Sequence, residues 1–132
     1  MDREANTEFI STRPAINCGD IFWVAADESK GSIPGSPHPH VVVQDDVFNH
    51  SRVTTVIVCA LSSNLKRASA PGSVLLDVGE GGLDKRSVVI ASQVSSIYKS
   101  RLGEHIGSLS RQRVDQIVAA LSFLQASHFR GR

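Results

Sequence analysis

Two histidines separated by a proline, in the stretch Pro37-His38-Pro39-His40, are the first residues whose type and spacing could do chemistry. Imidazole titrates near neutral pH, so His38 or His40 could act as a general acid or base. The same pair could be half of a metal site with His50 as third ligand, although no carboxylate or cysteine completes a recognisable ligand spacing. A third reading is structural: Pro37 and Pro39 fix the loop, and the histidines are ordinary surface residues. Alternation along a strand lets the two histidines share a face only if the strand already begins at His38, and Pro39 argues against a regular start there. Ser62 is the next candidate. It follows the apolar run Val56–Leu61 directly, so its hydroxyl falls where a strand gives way to a polar loop, a common place for a site. There is no G-x-S-x-G around it, which argues against a serine hydrolase.

The elements that must position these residues are legible in outline. Gly19–Ala26 reads as an apolar strand, followed by a 13-residue loop, Asp27–Pro39, dense in glycine, serine and proline. A loop of that length in a compact domain points to function. His40–Gln44 reads as a strand, Asn49–Arg52 as a turn, and Val53–Leu61 as a central strand rich in β-branched residues. A second polar loop, Ser62–Gly72, leads to two strands, Ser73–Val78 and Ser87–Ser92, joined by a glycine-rich turn. The pattern then changes period: Val114, Ile117, Val118, Leu121 and Leu124 fall at helical spacing, behind Ser110 as N-cap and a Leu109–Val114 staple. The fold expected is mainly β with α, a small twisted barrel or antiparallel sheet with an amphipathic C-terminal helix packed across it. Residues 1–17 read as a flexible leader, 18–127 as one domain and 128–132 as a basic tail.

Composition limits the alternatives. The 132 residues suit one domain, and with aromatics at 5% the core must be built mainly from Val, Ile, Leu and Ala. Apolar runs are too short to span a bilayer, and the N-terminal segment lacks the apolar stretch of a signal peptide, so no membrane role and a cytoplasmic location are expected. Cys18 and Cys59 stand far apart with no CxxC spacing, which predicts reduced thiols rather than a disulfide framework. Residues 1–60 carry four Lys/Arg against eight Asp/Glu, and residues 61–132 carry ten against five. Such asymmetry allows a polyanion to meet the second half, or simply gives two solvated faces of opposite sign.

Several segments, taken in order, resemble the MazF/PemK (Kid) toxin family. Cys18–Ala26 and Lys30–Asn49 are similar to its opening Gly-Asp strand, glycine-rich loop, Arg-Pro and apolar strand ending in Gln-Asn-Asp. Thr54–Leu76 is similar to its central strand ending in threonine or serine, the basic loop and the proline before the next strand. Ser87–Ser110 is similar to its Ser-strand-Gln segment, Lys-x-Arg-Leu turn and lead-in to the last helix.

The resemblance implies an SH3-like small barrel that works as a homodimer, binds single-stranded RNA and is blocked by a cognate antitoxin protein. It implies a metal-independent endoribonuclease with no cofactor, in which the ribose 2′-hydroxyl attacks the phosphate to give a cyclic phosphate and a 5′-hydroxyl. The family's catalytic arginine falls on His38, its threonine on Ser62, and its later glutamine on Gln93, a candidate base contact. Gly31, Ser36, Pro37, Asn64, Lys66 and Arg67 are the accompanying substrate-binding candidates, with Lys66 or Arg67 supplying positive charge. The family's loop glutamate falls on Ile33, and the Arg-x-Asp pair of the Kid branch falls on Ile90 and Ser92, so neither contribution is present. With histidine in place of arginine, position 38 becomes a proton-transfer group rather than a planar phosphate clamp. Two further readings use the same fold without cleavage: a CcdB-like gyrase poison, and a module that only binds RNA or antitoxin.

Overall fold

The computed structural model describes residues 15–25 and 36–130. The element order is β1 (Asp20–Val24), β2 (His38–Val42), a single helical turn α1 (Asp46–Asn49), β3 (Thr55–Ser62), β4 (Ser73–Leu76), β5 (Ser87–Tyr98), β6 (Leu102–Ser108) and α2 (Arg111–Arg130). Short 3-10 turns stand at Leu65–Ser69, Glu80–Gly82 and Lys99–Arg101. All six strands form one antiparallel sheet in the order β4-β5-β3-β2-β1-β6, so the β-branched run read as central does lie in the middle.

The sheet curls because two of its pairings slip. In β5 the register with β3 jumps between Cys59 and Ala60, whose partners are Val94 and Ile90, leaving Ala91–Gln93 as a bulge. The β1–β6 pairing shifts twice as well. Bulges bend and twist a strand, and here the bend brings the Glu80–Gly82 turn, from one end of the sheet, against β6 at the other. That approach needs glycine. Gly82 has φ +77°, and a side chain there would run into the carbonyl oxygen of Ile106.

The apolar residues form two clusters, one on each side of the curl. Ile21, Val41, Cys59, Leu61, Val89 and Ile117 anchor the larger one beneath α2, while Phe22, Val42, Val56 and Val58 anchor the smaller. Phe22 is the only aromatic in the buried set among the described residues, as the composition predicts. Ser110 caps α2 by accepting the Arg113 N–H, and Leu109 and Val114 both pack on the larger cluster. Arg113 then grips Glu80 with two nitrogens, at 2.8 Å each, pinning the helix to the glycine-rich turn. No described helix is long and apolar enough to cross a membrane.

Four expectations need correction. β2 begins at His38, not His40: Pro39 is paired with Trp23 of β1, but pairing with β3 starts only at His40. A proline that cannot donate to a ladder is tolerated where its strand has one neighbour. The strand expected to end at Ser92 runs to Tyr98, its two halves separated by the bulge. The segment taken as a lead-in to the helix is itself strand β6. Val118 is 44% exposed, because α2 meets the sheet along a narrower stripe than its apolar letters suggest.

Candidate active site

The ladder between β2 and β3 pairs Val42 with Val58, Val41 with Cys59 and His40 with Ala60. Continuing that register by two residues sets His38, the first residue of β2, opposite Ser62, the last of β3. Opposite residues in an antiparallel pair point to the same face. Both residues line one open cleft of about 620 Å³ at this end of the sheet. Pro37, Pro39 and Trp23 form one wall, and the β4–β5 turn contributes Asp84 and Lys85. Trp23 is 40% exposed, so its ring is available to a flat ligand.

Ser62 Oγ accepts the backbone N–H of Asn64 at 3.0 Å. A hydroxyl that accepts in this way keeps its own hydrogen to donate. The Asn64 side chain caps the following 3-10 turn by accepting the Lys66 N–H at 3.2 Å, so its oxygen serves the backbone. Lys66 and Arg67 lie on that turn, exposed, next to Ser62 in sequence but outside the cleft lining. Ser36 is exposed just before the lining begins, and Gln93 is exposed on the β5 bulge, also outside it. Gly31 and Ile33 lie outside the described residues. The structure therefore brings together Pro37, His38 and Ser62, while Asn64, Lys66, Arg67 and Gln93 are exposed outside the cleft lining.

The two histidines of the opening motif separate by environment. His40 is half-buried; its Nδ1 lies 3.0 Å from the His38 carbonyl oxygen, and burial pushes its pKa down. It is a neutral strand residue at pH 7. His50 lies 2.9 Å from Asn17 Oδ1, away from the other two. Among the described residues no group of three or more His, Cys, Asp or Glu is placed to hold a metal ion. Cys18 and Cys59 are both free thiols, and burial pushes Cys59 up to about 12, which leaves it an inert core residue.

Sequence reasoning missed Trp23, Lys85 and His105, which also line the cleft. Lys85 sits in the glycine-rich turn and His105 in the segment mistaken for a lead-in. The fold of this turn onto β6 brings Lys85 to the cleft, and the β2–β1–β6 pairings bring His105 there; no spacing in the chain signals either.

Residues 17–124 match the family described as the PemK-like, MazF-like toxin of type II toxin–antitoxin systems. The chain is 29% identical over 102 residues to endoribonuclease MazF6 of Mycobacterium tuberculosis, covering 77% of this chain and 90% of that protein. It is 30% identical over 106 residues to endoribonuclease EndoA of Bacillus subtilis, covering 80% and 90%. Among solved structures, a MazE–MazF complex from Deinococcus radiodurans superposes with a TM-score of 0.71 at 20% identity, over 86% of this chain and 98% of that one. A mycobacterial endoribonuclease in complex with its cognate antitoxin gives 0.66 at 16% identity, over 86% and 96%. The structural neighbours share the fold, and the match over nearly the whole described domain gives the identity: this chain belongs to the PemK-like, MazF-like toxin family of type II toxin–antitoxin systems.

Proposed function

We propose that this toxin cleaves single-stranded RNA in the cleft at the start of β2 and the end of β3, with His38 and Ser62 as its catalytic residues. The observation that carries the reading is that His38, at the start of β2, and Ser62, at the end of β3, line the same cleft. The Ser62 hydroxyl donates to a non-bridging phosphate oxygen while the His38 imidazole moves a proton at the reacting oxygens. The 2′-hydroxyl of the substrate is the nucleophile, and the products are a cyclic phosphate and a 5′-hydroxyl. Lys85 supplies a positive charge within the cleft, and Lys66 and Arg67 extend it along the neighbouring turn. Trp23 offers an exposed indole on which an unstacked base can lie. The relatives named as endoribonucleases, across 90% of their own length, support the activity.

A cognate antitoxin protein is the expected inhibitor, supported by the neighbours solved as complexes with one. A second copy of the chain is the expected partner in the active form. The test is incubation of purified, antitoxin-free protein with single-stranded RNA in EDTA, followed by end mapping. Cleavage leaving 5′-hydroxyl ends, abolished in His38→Ala with an unchanged melting curve, is the expected result. RNA left whole across the neutral pH range would sink the proposal.

A further inference from the structure

We propose that His105 is a second catalytic residue of the cleft, donating the proton to the leaving 5′-oxygen while His38 takes the proton from the 2′-hydroxyl. The inference rests on the ribonuclease reading above. Attack by a 2′-hydroxyl requires two proton transfers: one from the nucleophile as the O2′–P bond forms, one to O5′ as the P–O5′ bond breaks. One imidazole cannot easily serve both oxygens at once, because they lie on opposite sides of the phosphorus.

The register places the second imidazole. Phe22 of β1 is paired with His40 of β2 on one side and with His105 of β6 on the other. His105, Phe22, His40 and Ala60 thus form a row on one face of the sheet. By alternation, His38 and Ser62 belong to the same face one step further along. Two strand spacings and two residues separate His38 from His105, about 12 Å between Cα atoms. Both line the same cleft, so a phosphodiester can lie between their rings.

The His105 ring is held for the task. Its Nε2 lies 3.4 Å from Asp20 Oδ1, within ion-pair reach of a carboxylate whose side chain is only 7% exposed. Its face meets the Phe22 ring edge to face, centroids 5.2 Å apart. Asp20 is itself fixed, accepting the Ser108 hydroxyl at 2.6 Å and the Asn17 N–H at 3.0 Å. The His105 ring therefore has a buried carboxylate on one side and the open cleft on the other. In the reaction the 2′-proton passes to His38 and the His105 proton to O5′. The cyclic phosphate and 5′-alcohol leave, and solvent returns each ring to its starting state.

The experiment compares two RNA substrates, one ordinary and one with sulfur replacing the bridging 5′-oxygen, whose thiolate leaves without a proton. His105→Gln and His105→Ala should lose about hundredfold or more on ordinary RNA and regain near wild-type rates on the sulfur substrate. His38→Ala should stay impaired on both. A 2′-O-methyl RNA should bind the His105 variants and wild type alike. Equal loss on both substrates, or no loss, overturns the assignment while leaving the ribonuclease reading intact. If wild type cuts neither substrate, that reading itself fails and His105 falls with it. Should both variants misfold, wild type decides: the His105 ring resonances must shift on saturation with 2′-O-methyl RNA, and unmoved resonances overturn the proposal.

Discussion

Two polar regions stand at opposite ends of β2 and do opposite things. At the corner after β2, Gln44, Asp46 and Asn49 spend their polar groups on one another and on the backbone. Gln44 Nε2 donates to Asn49 Oδ1 at 3.0 Å, and Asn49 Nδ2 donates to the Gln44 carbonyl at 2.7 Å and to Asp46 Oδ1 at 2.9 Å. Asp46 also accepts the Cys18 N–H at 2.7 Å, and these bonds, Asn49 first, hold its carboxyl below the usual range. At the other end of β2, His38, Ser62, Lys85 and His105 line open space. A strand-end polar cluster is a structural clasp when its bonds close on themselves and a site when they face solvent. The acids that close the apolar strand belong to the first kind, so the Gln-Asp-Asp sequence is a corner, not chemistry.

Substitutions should separate the two regions sharply. The largest effect is expected from Ser62→Ala and His38→Ala in the cleft, each lowering RNA cleavage by about hundredfold or more with little change in melting temperature. Any comparable fall in stability would erase the distinction. Asn49→Ala should do the reverse, since it strands buried partners on Gln44. A loss of about 2–3 kcal/mol is expected from denaturant titration, with cleavage per folded molecule unchanged.

Lys85→Ala should reduce cleavage by about tenfold, or roughly 1.4 kcal/mol, in low salt. The loss should shrink as ionic strength rises, because screening removes what the ammonium contributes. Lys66→Ala, outside the lining, should give a smaller change in the same assay, and equal effects would move the phosphate path to that turn.

Glu80→Gln sharpens the comparison from a third place, the ion pair that clamps the cleft-bearing turn to α2. Arg113 and the Asp77 N–H hold the Glu80 carboxyl below its ordinary value. A carboxylate so depressed adds stability above its unfolded pKa and loses it as pH falls through the folded one. The variant should therefore melt lower at neutral pH, by about 1 kcal/mol for this quarter-exposed pair. The gap from wild type should close below about pH 4. A gap that persists in acid would mean the clamp is held by packing instead.

The sequence by itself determined what depends on local chemistry. Periodicity gave the α2 helix with its Ser110 cap, β-branched composition gave the central strand, and the order of motifs gave the family. These are set by neighbours within a few residues, so they survive in a linear reading. Tertiary structure alone decided the rest. Where β2 starts depends on Trp23, across the sheet, accepting Pro39 as a partner. Which cation enters the cleft depends on Gly82 fitting against Ile106, which selects Lys85 over Lys66 and Arg67 for the lining. That His105 shares a face with His38 depends on the pairings of two strands through a third. Contacts between residues far apart along the chain are fixed by register and bulges, and a spacing rule carries no information about either.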